Sequence, residues 1–186
     1  MPIENNFNWV YHLPNSKQSC GGYVMEWFTK FEIQNWGKTP ALYMRRVGPY
    51  GPENHVLMES FKQWLLTHDL FTAHCVIIAA ALDDPGQTAP EKCRYDICFL
   101  CPESVAKKYT HEMPCQQLAA GRYAVFQIKH TVEAMQQAWN ECFSYLSNIG
   151  HKPDLQKTVL ERYEKQMVDN HLCELCVPLL DSECMN

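Results

Sequence analysis

No stretch of about 18 consecutive apolar residues occurs in the sequence, which excludes a helical membrane span. Excess positive charge is also missing. Sixteen Lys and Arg stand against 21 Asp and Glu, for a net charge of −5, and no run forms a basic arm. Phosphate contacts need clustered Lys and Arg, so direct binding to nucleic acid is not expected. The opening residues, MPIENNFNWVYH, lack a basic start followed by an apolar block, so they are not read as a secretory signal and a cytoplasmic location is expected. The sequence has no Gly-x-Ser-x-Gly elbow, no His-Glu-x-x-His and no phosphate loop. Its eight histidines are scattered, with no pair at ligand spacing on one element. No catalytic set and no cofactor is therefore assigned.

What is present is enough for a core. Hydrophobic residues make up 46% of 186 residues, which suits one domain or two fused small modules and argues against disorder. Ten cysteines need an explanation. Many lie inside apolar runs, such as Cys75 in AHCVIIAAAL, and in a reducing compartment they act as small buried hydrophobes. Two CxxC pairs, Cys98–Cys101 and Cys173–Cys176, raise the question of zinc. Each falls on a strand-like run without a glycine-bearing turn, and residues three apart on a strand face opposite ways. Neither a metal site nor a structural disulfide in the reduced protein is expected.

Residues 1–27 read as a lead-in, with a short alternation at Phe7, Trp9, Tyr11 and Leu13; residues 1–22 are expected to be dispensable for folding. Strands are predicted at 28–36 and 40–47, then a Gly48-Pro49-Tyr50-Gly51 turn. Pro52 and Glu53 suit the first turn of a helix running to about His68, with Leu57, Phe61, Trp64, Leu65 and His68 on one stripe. Strands follow at 73–82 and 93–100. A lead-in at 113–121 precedes a strand at 122–129, a helix from 132 to 148 capped by Thr131 and ended by Gly150, and strands at 157–164 and 171–179.

The second series repeats the first. Shifting by 82 residues places Leu57 on Trp139, Phe61 on Phe143, Trp64 on Leu146, Ile77 on Val159 and Ile78 on Leu160. A shift of 78 places Tyr95-Asp96-Ile97-Cys98 on Cys173-Glu174-Leu175-Cys176. Strand, helix, strand, strand thus occurs twice, about 28–104 and 111–180. One helix per module leaves each sheet poorly covered, and pairing the modules solves this while leaving a cleft on a pseudo-twofold axis.

The segments ALYMRRVGPYG, ALDDPGQTAPEKCRYDICF, VLERY and CELCVPL together resemble the GyrI-like small-molecule-binding superfamily over about residues 30–180. That group includes the DNA gyrase inhibitory protein and the effector domains of Rob-type AraC regulators and multidrug-sensing MerR regulators. The resemblance implies an α+β fold of tandem duplicated β-α-β-β (SHS2-like) modules with antiparallel sheets, two main helices and a ligand cleft between the halves, spanning residues 28–186. It implies a stand-alone binder of amphipathic, often cationic, organic compounds, acting on no nucleic acid or membrane itself. A protein partner, a regulator or gyrase, bound in the manner of the gyrase inhibitor, is the second kind of contact it suggests, and hydrolysis of an electrophilic xenobiotic with a cleft Glu as general base is an alternative.

In the family an acid on a late strand faces the cleft among aromatics. Glu161 and Glu174 are the matching positions, and the sequence leaves open which of them points inward. Glu161 stands where the first repeat has Ala79 and Ala80, and a carboxylate there is costly to bury without a partner; an exposed position or an ion pair with Arg162 is the plainer reading. Glu174, whose repeat partner is Asp96, reads equally well as solvent-facing. Tyr163 shares a strand face with Glu161, the arrangement an organic cation favours. Trp139 is either a cleft wall or ordinary core, and Tyr43, Tyr50, Trp36 and Phe126 are further candidates, Tyr50 at the cleft mouth. Arg45 and Arg46 are expected to be a solvated pair, or one of them to pair with an acid such as Asp96.

Overall fold

The computed structural model describes residues 27–181. Alternating apolar residues build β1 (Lys30–Trp36) and β2 (Thr39–Val47), and α1 (Pro52–Thr67) follows. Next come β3 (Val76–Ala81), a 3-10 turn at Pro90–Lys92, β4 (Arg94–Leu100), α2 (Glu103–Tyr109) and β5 (Cys115–Leu118). The second half comprises β6 (Gly121–Lys129), α3 (Val132–Asn148), β7 (Leu160–Glu164), α4 (Lys165–Asp169) and β8 (Leu172–Leu179). Local signals place the long helices. Pro52 and Glu53 open α1, and the Thr131 hydroxyl accepts from Ala134 N–H at 3.2 Å to cap α3. Gly150, at φ 80°, lies just past the end of α3 in a conformation that favours glycine.

The strands form one antiparallel sheet in the order β1-β6-β8-β7-β3-β4-β2-β5. The order is palindromic about the β7–β3 junction, as the repeat requires. The shifts of 82 and 78 residues hold for the strands: the β2–β4 pair Ala41↔Leu100 falls on Tyr123↔Pro178, and the β3–β4 pair Ile78↔Cys98 falls on Leu160↔Cys176. The helices depart from the shift of 82 by one residue. Buried Asn54, Phe61 and Leu65 of α1 correspond to buried Met135, Cys142 and Leu146 of α3, a shift of 81. Trp139 therefore matches Met58, not Leu57, and Phe61 matches Cys142, not Phe143. The connections entering the two helices differ in length, Gly48–Gly51 against His130–Thr131, so helix phase need not follow strand phase.

The leading strands are exchanged. β1 pairs with β6 of the second module, and β5 with β2 of the first. Lys30↔Gln127 through Trp36↔Gly121 and Thr39↔Leu118 through Leu42↔Cys115 keep one register. The two ends of the strand order are thus halves of one ribbon, and the sheet curls on itself. Segment 113–121, expected only as a lead-in, contains β5, while α2 and α4 were not expected. The strand predicted at 157–164 starts at Leu160, and that predicted at 73–82 starts at Val76.

Three cores result. One lies under α1 and includes Leu42, Phe61, Leu65, Ile77 and Ile97. A second lies under α3 and includes Phe126, Ile128, Leu146, Cys173 and Leu175. The third fills the opposite face of the sheet and includes Ala41, Ile78, Cys98, Tyr123, Leu160 and Cys176. Members of each CxxC pair divide between faces: Cys98 and Cys176 pack in the third core, Cys101 in the first and Cys173 in the second. The eight cysteines among the described residues are free thiols, and burial pushes those of Cys75, Cys98 and Cys142 up to about 12. Among the described residues no helix is long and apolar enough to cross a membrane, and no group of three His, Cys, Asp or Glu is placed to hold a metal ion. The alternation at Phe7 to Leu13 lies outside the described residues, as does the proposed dispensability of 1–22.

Candidate functional site

Among the described residues, β3 and β7 join the two modules in the middle of the sheet, through Val76↔Glu164 to Ala79↔Glu161. Glu161 is the repeat counterpart of Ala79, and the two are also cross-strand partners. A residue pairs with its own counterpart only on the pseudo-twofold axis, so Glu161 sits on that axis. Strand alternation decides its face. Leu160 points into the third core, so Glu161 points the other way, toward the helices. Its neighbour Tyr163 shares that face and packs against both helix-side cores, bridging the seam between α1 and α3.

Glu161 is 4% exposed. Trp139 of α3 donates its indole N–H to Oε1 at 3.0 Å, and the Tyr163 hydroxyl donates to Oε2 at 2.8 Å. Both donors are neutral, and among the described residues no salt bridge reaches Glu161. Burial pushes its carboxyl above the ordinary 4.5, while the two hydrogen bonds pull it down. The Tyr163 phenol rises well above 10, through burial first and the Glu161 charge second, so it keeps its proton to donate. His130, between β6 and α3, sets its ring 5.5 Å from that of Tyr163 in an edge-on contact. Burial, then the charge of Lys62 from α1, then His171 lower its pKa below 6.5, favouring neutral imidazole.

Of the eight candidate residues, the structure brings together Glu161, Tyr163 and Trp139. Glu174 is on the opposite sheet face. It is buried, and Arg162 pairs with it through Nη1. Arg162 thus neutralises Glu174, not its sequence neighbour Glu161. Asp96, the repeat counterpart of Glu174, receives Arg45 in a two-pronged contact at 2.6 and 2.8 Å. Trp36 stacks on Tyr123 at 4.3 Å, and Tyr43 joins the same third core. Phe126 is fully buried under α3, ringed by Trp27, Phe28, Phe31 and Tyr145. The Tyr50 hydroxyl lies 2.9 Å from the Asp83 carbonyl and accepts from the Asp83 N–H at 3.0 Å, tying the turn to the β3–β4 loop. His130 was missed by sequence reasoning. Its only sequence signal is its position just before the helix cap, which says nothing about the residue it meets across the seam.

The seam is closed over Glu161. Two shallow, open depressions lie elsewhere, one lined by Glu164, Gln166, Met167, Asn170 and Leu172, the other by Tyr43, Arg45, Leu57, Glu112 and Pro114 among others. A buried carboxylate without a cationic partner carries more weight for function than either, because its desolvation is compensated by no charge.

Residues 29–180 match the GyrI-like small molecule binding domain family. The chain belongs to that family. It is also 38% identical over 156 residues to the SPbeta prophage-derived protein YosT of Bacillus subtilis, whose name proposes a role in transcriptional regulation; the match covers 81% of this chain and 99% of YosT. Among solved structures, SAV2435, determined bound to tetraphenylphosphonium, aligns with a TM-score of 0.54 at 14% identity over 82% of this chain and 95% of its own. The C-terminal domain of EcmrR aligns with a TM-score of 0.60 at 12% identity over 82% of this chain and 98% of its own. At such identities these two structures show the shared GyrI-like fold.

Proposed function

We propose that this GyrI-like chain is an effector-binding protein for amphipathic organic cations, with Glu161 as the charge partner and Trp139 and Tyr163 as its aromatic surroundings. One observation carries the reading: Glu161 is a buried carboxylate on the module axis, held by two neutral donors and by no cationic side chain among the described residues. An apolar seam gives area-driven affinity with little choice. A single carboxylate adds selectivity for positive charge, since a neutral ligand leaves the acid desolvated and unpaired. Ring faces beside it add about 0.5–2 kcal/mol per good cation contact. The tetraphenylphosphonium held by SAV2435 supports this ligand class. The YosT match supports a regulatory setting, and the net charge of −5 argues against contacts of this domain with DNA, which leaves a protein partner as the proposed output.

The test is a thermal-shift panel of tetraphenylphosphonium against neutral tetraphenylmethane-type isosteres. A ligand bound only to the folded state at a hundredfold excess over its Kd adds about 2.7 kcal/mol of stability. The parent protein is expected to respond to the cation alone, and Glu161→Gln to lose that response while Glu174→Gln keeps it. Loss with Glu174→Gln and retention with Glu161→Gln would move the site to the other sheet face. Indifference to both changes would end the cation reading.

A further inference from the structure

The two modules differ at one strand edge. In an antiparallel strand both backbone groups of a residue point to the same side. Tyr43 N–H donates to the Pro114 carbonyl at 3.0 Å, so Tyr43, Arg45 and Val47 of β2 turn their backbone groups to the side of β5. The ladder ends there. Pro114 has no N–H to return to the Tyr43 carbonyl, and the N–H groups of Glu112 and Met113 both go to the Tyr109 carbonyl at 3.0 Å. In the second module the shift of 82 turns Pro114 into Glu32, Tyr43 into Val125 and Arg45 into Gln127. There β1 runs on through Glu32↔Val125 and Lys30↔Gln127. The same edge is thus covered on β6 and bare on β2. Among the described residues, the N–H and C=O of Arg45 and Val47 and the Tyr43 carbonyl have no backbone partner.

Open strand edges are guarded against chance pairing by charges directed outward. Here both arginine heads are drawn inward, Arg45 to Asp96, and Arg46 to the Pro49 carbonyl and the Asn54 amide oxygen, each at 2.7 Å. Val47, 58% exposed, ends the strand. Beside the edge lies the depression lined by Met44, Leu57, Met113 and Pro114 among others. The chain fills the equivalent place in the second module itself: Phe28 and Phe31 lie 5.6 and 4.9 Å from Phe126, the counterpart of Met44. Met113 stands at the Phe31 position, but the chain carrying it turns back to Tyr109 and offers β2 no ladder. We propose that the β2 edge docks an extended segment of a partner protein as an added antiparallel strand. The segment carries no net charge and sets one aromatic or long aliphatic side chain against Met44 and Leu57. Arg45 is already neutralised by Asp96, so no acid is required of it. Two copies of this chain joined edge to edge about Arg45 or Arg46 would place arginines opposite one another, which disfavours a second copy as the occupant. The surface lies two strands out from β3 and is independent of any cation at Glu161.

The probe is a synthetic peptide of residues 27–34, WFTKFEIQ, the net-neutral segment that covers the equivalent edge of β6. Its binding is followed by fluorescence polarisation, and amide hydrogen exchange is read residue by residue by NMR. In the free protein the Arg45 and Val47 amides are expected to exchange freely, while that of Val125, paired with Glu32, is protected. Saturating peptide is expected to slow exchange at Arg45 and Val47 by about tenfold or more and to leave Val125 unchanged. Val47→Pro removes an edge donor that the sheet does not use, so the fold survives and peptide affinity should fall about fivefold or more. Leu57→Glu sets a charge beside the apolar anchor at a half-buried helix position and should weaken binding similarly, providing a second variant if the first is poorly folded. Absence of added protection at Arg45 and Val47 overturns the proposal, as does equal affinity of a peptide carrying Phe28→Ser and Phe31→Ser. Protection already present in the free protein also overturns it. If that protection is constant on dilution, the N-terminal segment of the same chain holds the edge; if it grows with protein concentration, a second copy does.

Discussion

Glu161 holds its charge against the stability of the fold. Its carboxyl lies above the ordinary 4.5 because burial penalises the charged form. A folded-state value above the unfolded one means the native state favours the proton. The stabilising contribution is complete below 4.5 and is lost as pH rises through the folded value. Each unit of upward shift corresponds to about 1.4 kcal/mol. Glu161→Gln should therefore melt at a higher temperature than the parent at pH 8, with the gap closing as pH falls toward 4. The amide can still accept from Trp139 and donate to the Tyr163 oxygen, so the local hydrogen bonds survive. Thermal melts of both proteins from pH 4 to 8 check this, and a variant less stable than the parent at pH 8 would show that the carboxylate is a net structural asset. The residue types at this site were legible in the sequence; their partners were not. Glu161 and Tyr163 share a face by simple alternation, but which of Glu161 and Glu174 lacked a countercharge depended on Arg162 pointing to the far side of the sheet.

At the scale of elements, the long helices and seven of the eight strands follow from local rules, because each carries an apolar pattern with its own stop and start. The elements that escaped notice have no such pattern. The four residues of β5, CQQL, put one glutamine and one apolar residue on each face, so they carry no alternation, and they form a strand along the ladder that β2 supplies. α2 and α4 are one to two turns long, below the length at which periodicity is readable. The start of the domain also has a boundary that composition blurs. Trp27 and Phe28 approach Phe126 at 4.7 and 5.6 Å and meet Tyr145 edge-on. Deleting residues 1–22 is expected to leave the denaturation midpoint nearly unchanged, whereas Trp27→Ala and Phe28→Ala should each lose about 2–3 kcal/mol, less than a fully buried aromatic. Chemical denaturation of the three proteins decides it. A truncation that unfolds would make the Phe7–Leu13 alternation part of the core.

At the scale of the whole molecule, duplication creates one special position. Only on the axis does a residue face its own counterpart, and there the chain has Ala79 against Glu161. Ala79 is 1% exposed, so Ala79→Glu would set two carboxylates side by side in a buried seam, and they cannot both ionise cheaply. Ala79→Gln, which adds equal volume, separates crowding from charge. The glutamate variant is expected to be less stable than the glutamine variant by about 2–3 kcal/mol at pH 8, and to match it near pH 4. Equal melts at pH 8 would show that the two positions do not face one another.

The sequence by itself determined the repeat, the positions of the strands in each module, the two long helices and the acid–aromatic pair on β7. All of these depend on spacing along the chain, which alternation and helical period record directly. The tertiary structure alone decided the exchange of β1 and β5, the one-residue slip between helices, the pairing of Arg162 with Glu174, and the bridging of the seam by Tyr163 and His130. Those contacts join residues from different elements, and their choice depends on which faces meet when two half-covered sheets close on each other, a competition between burial areas that no local pattern encodes.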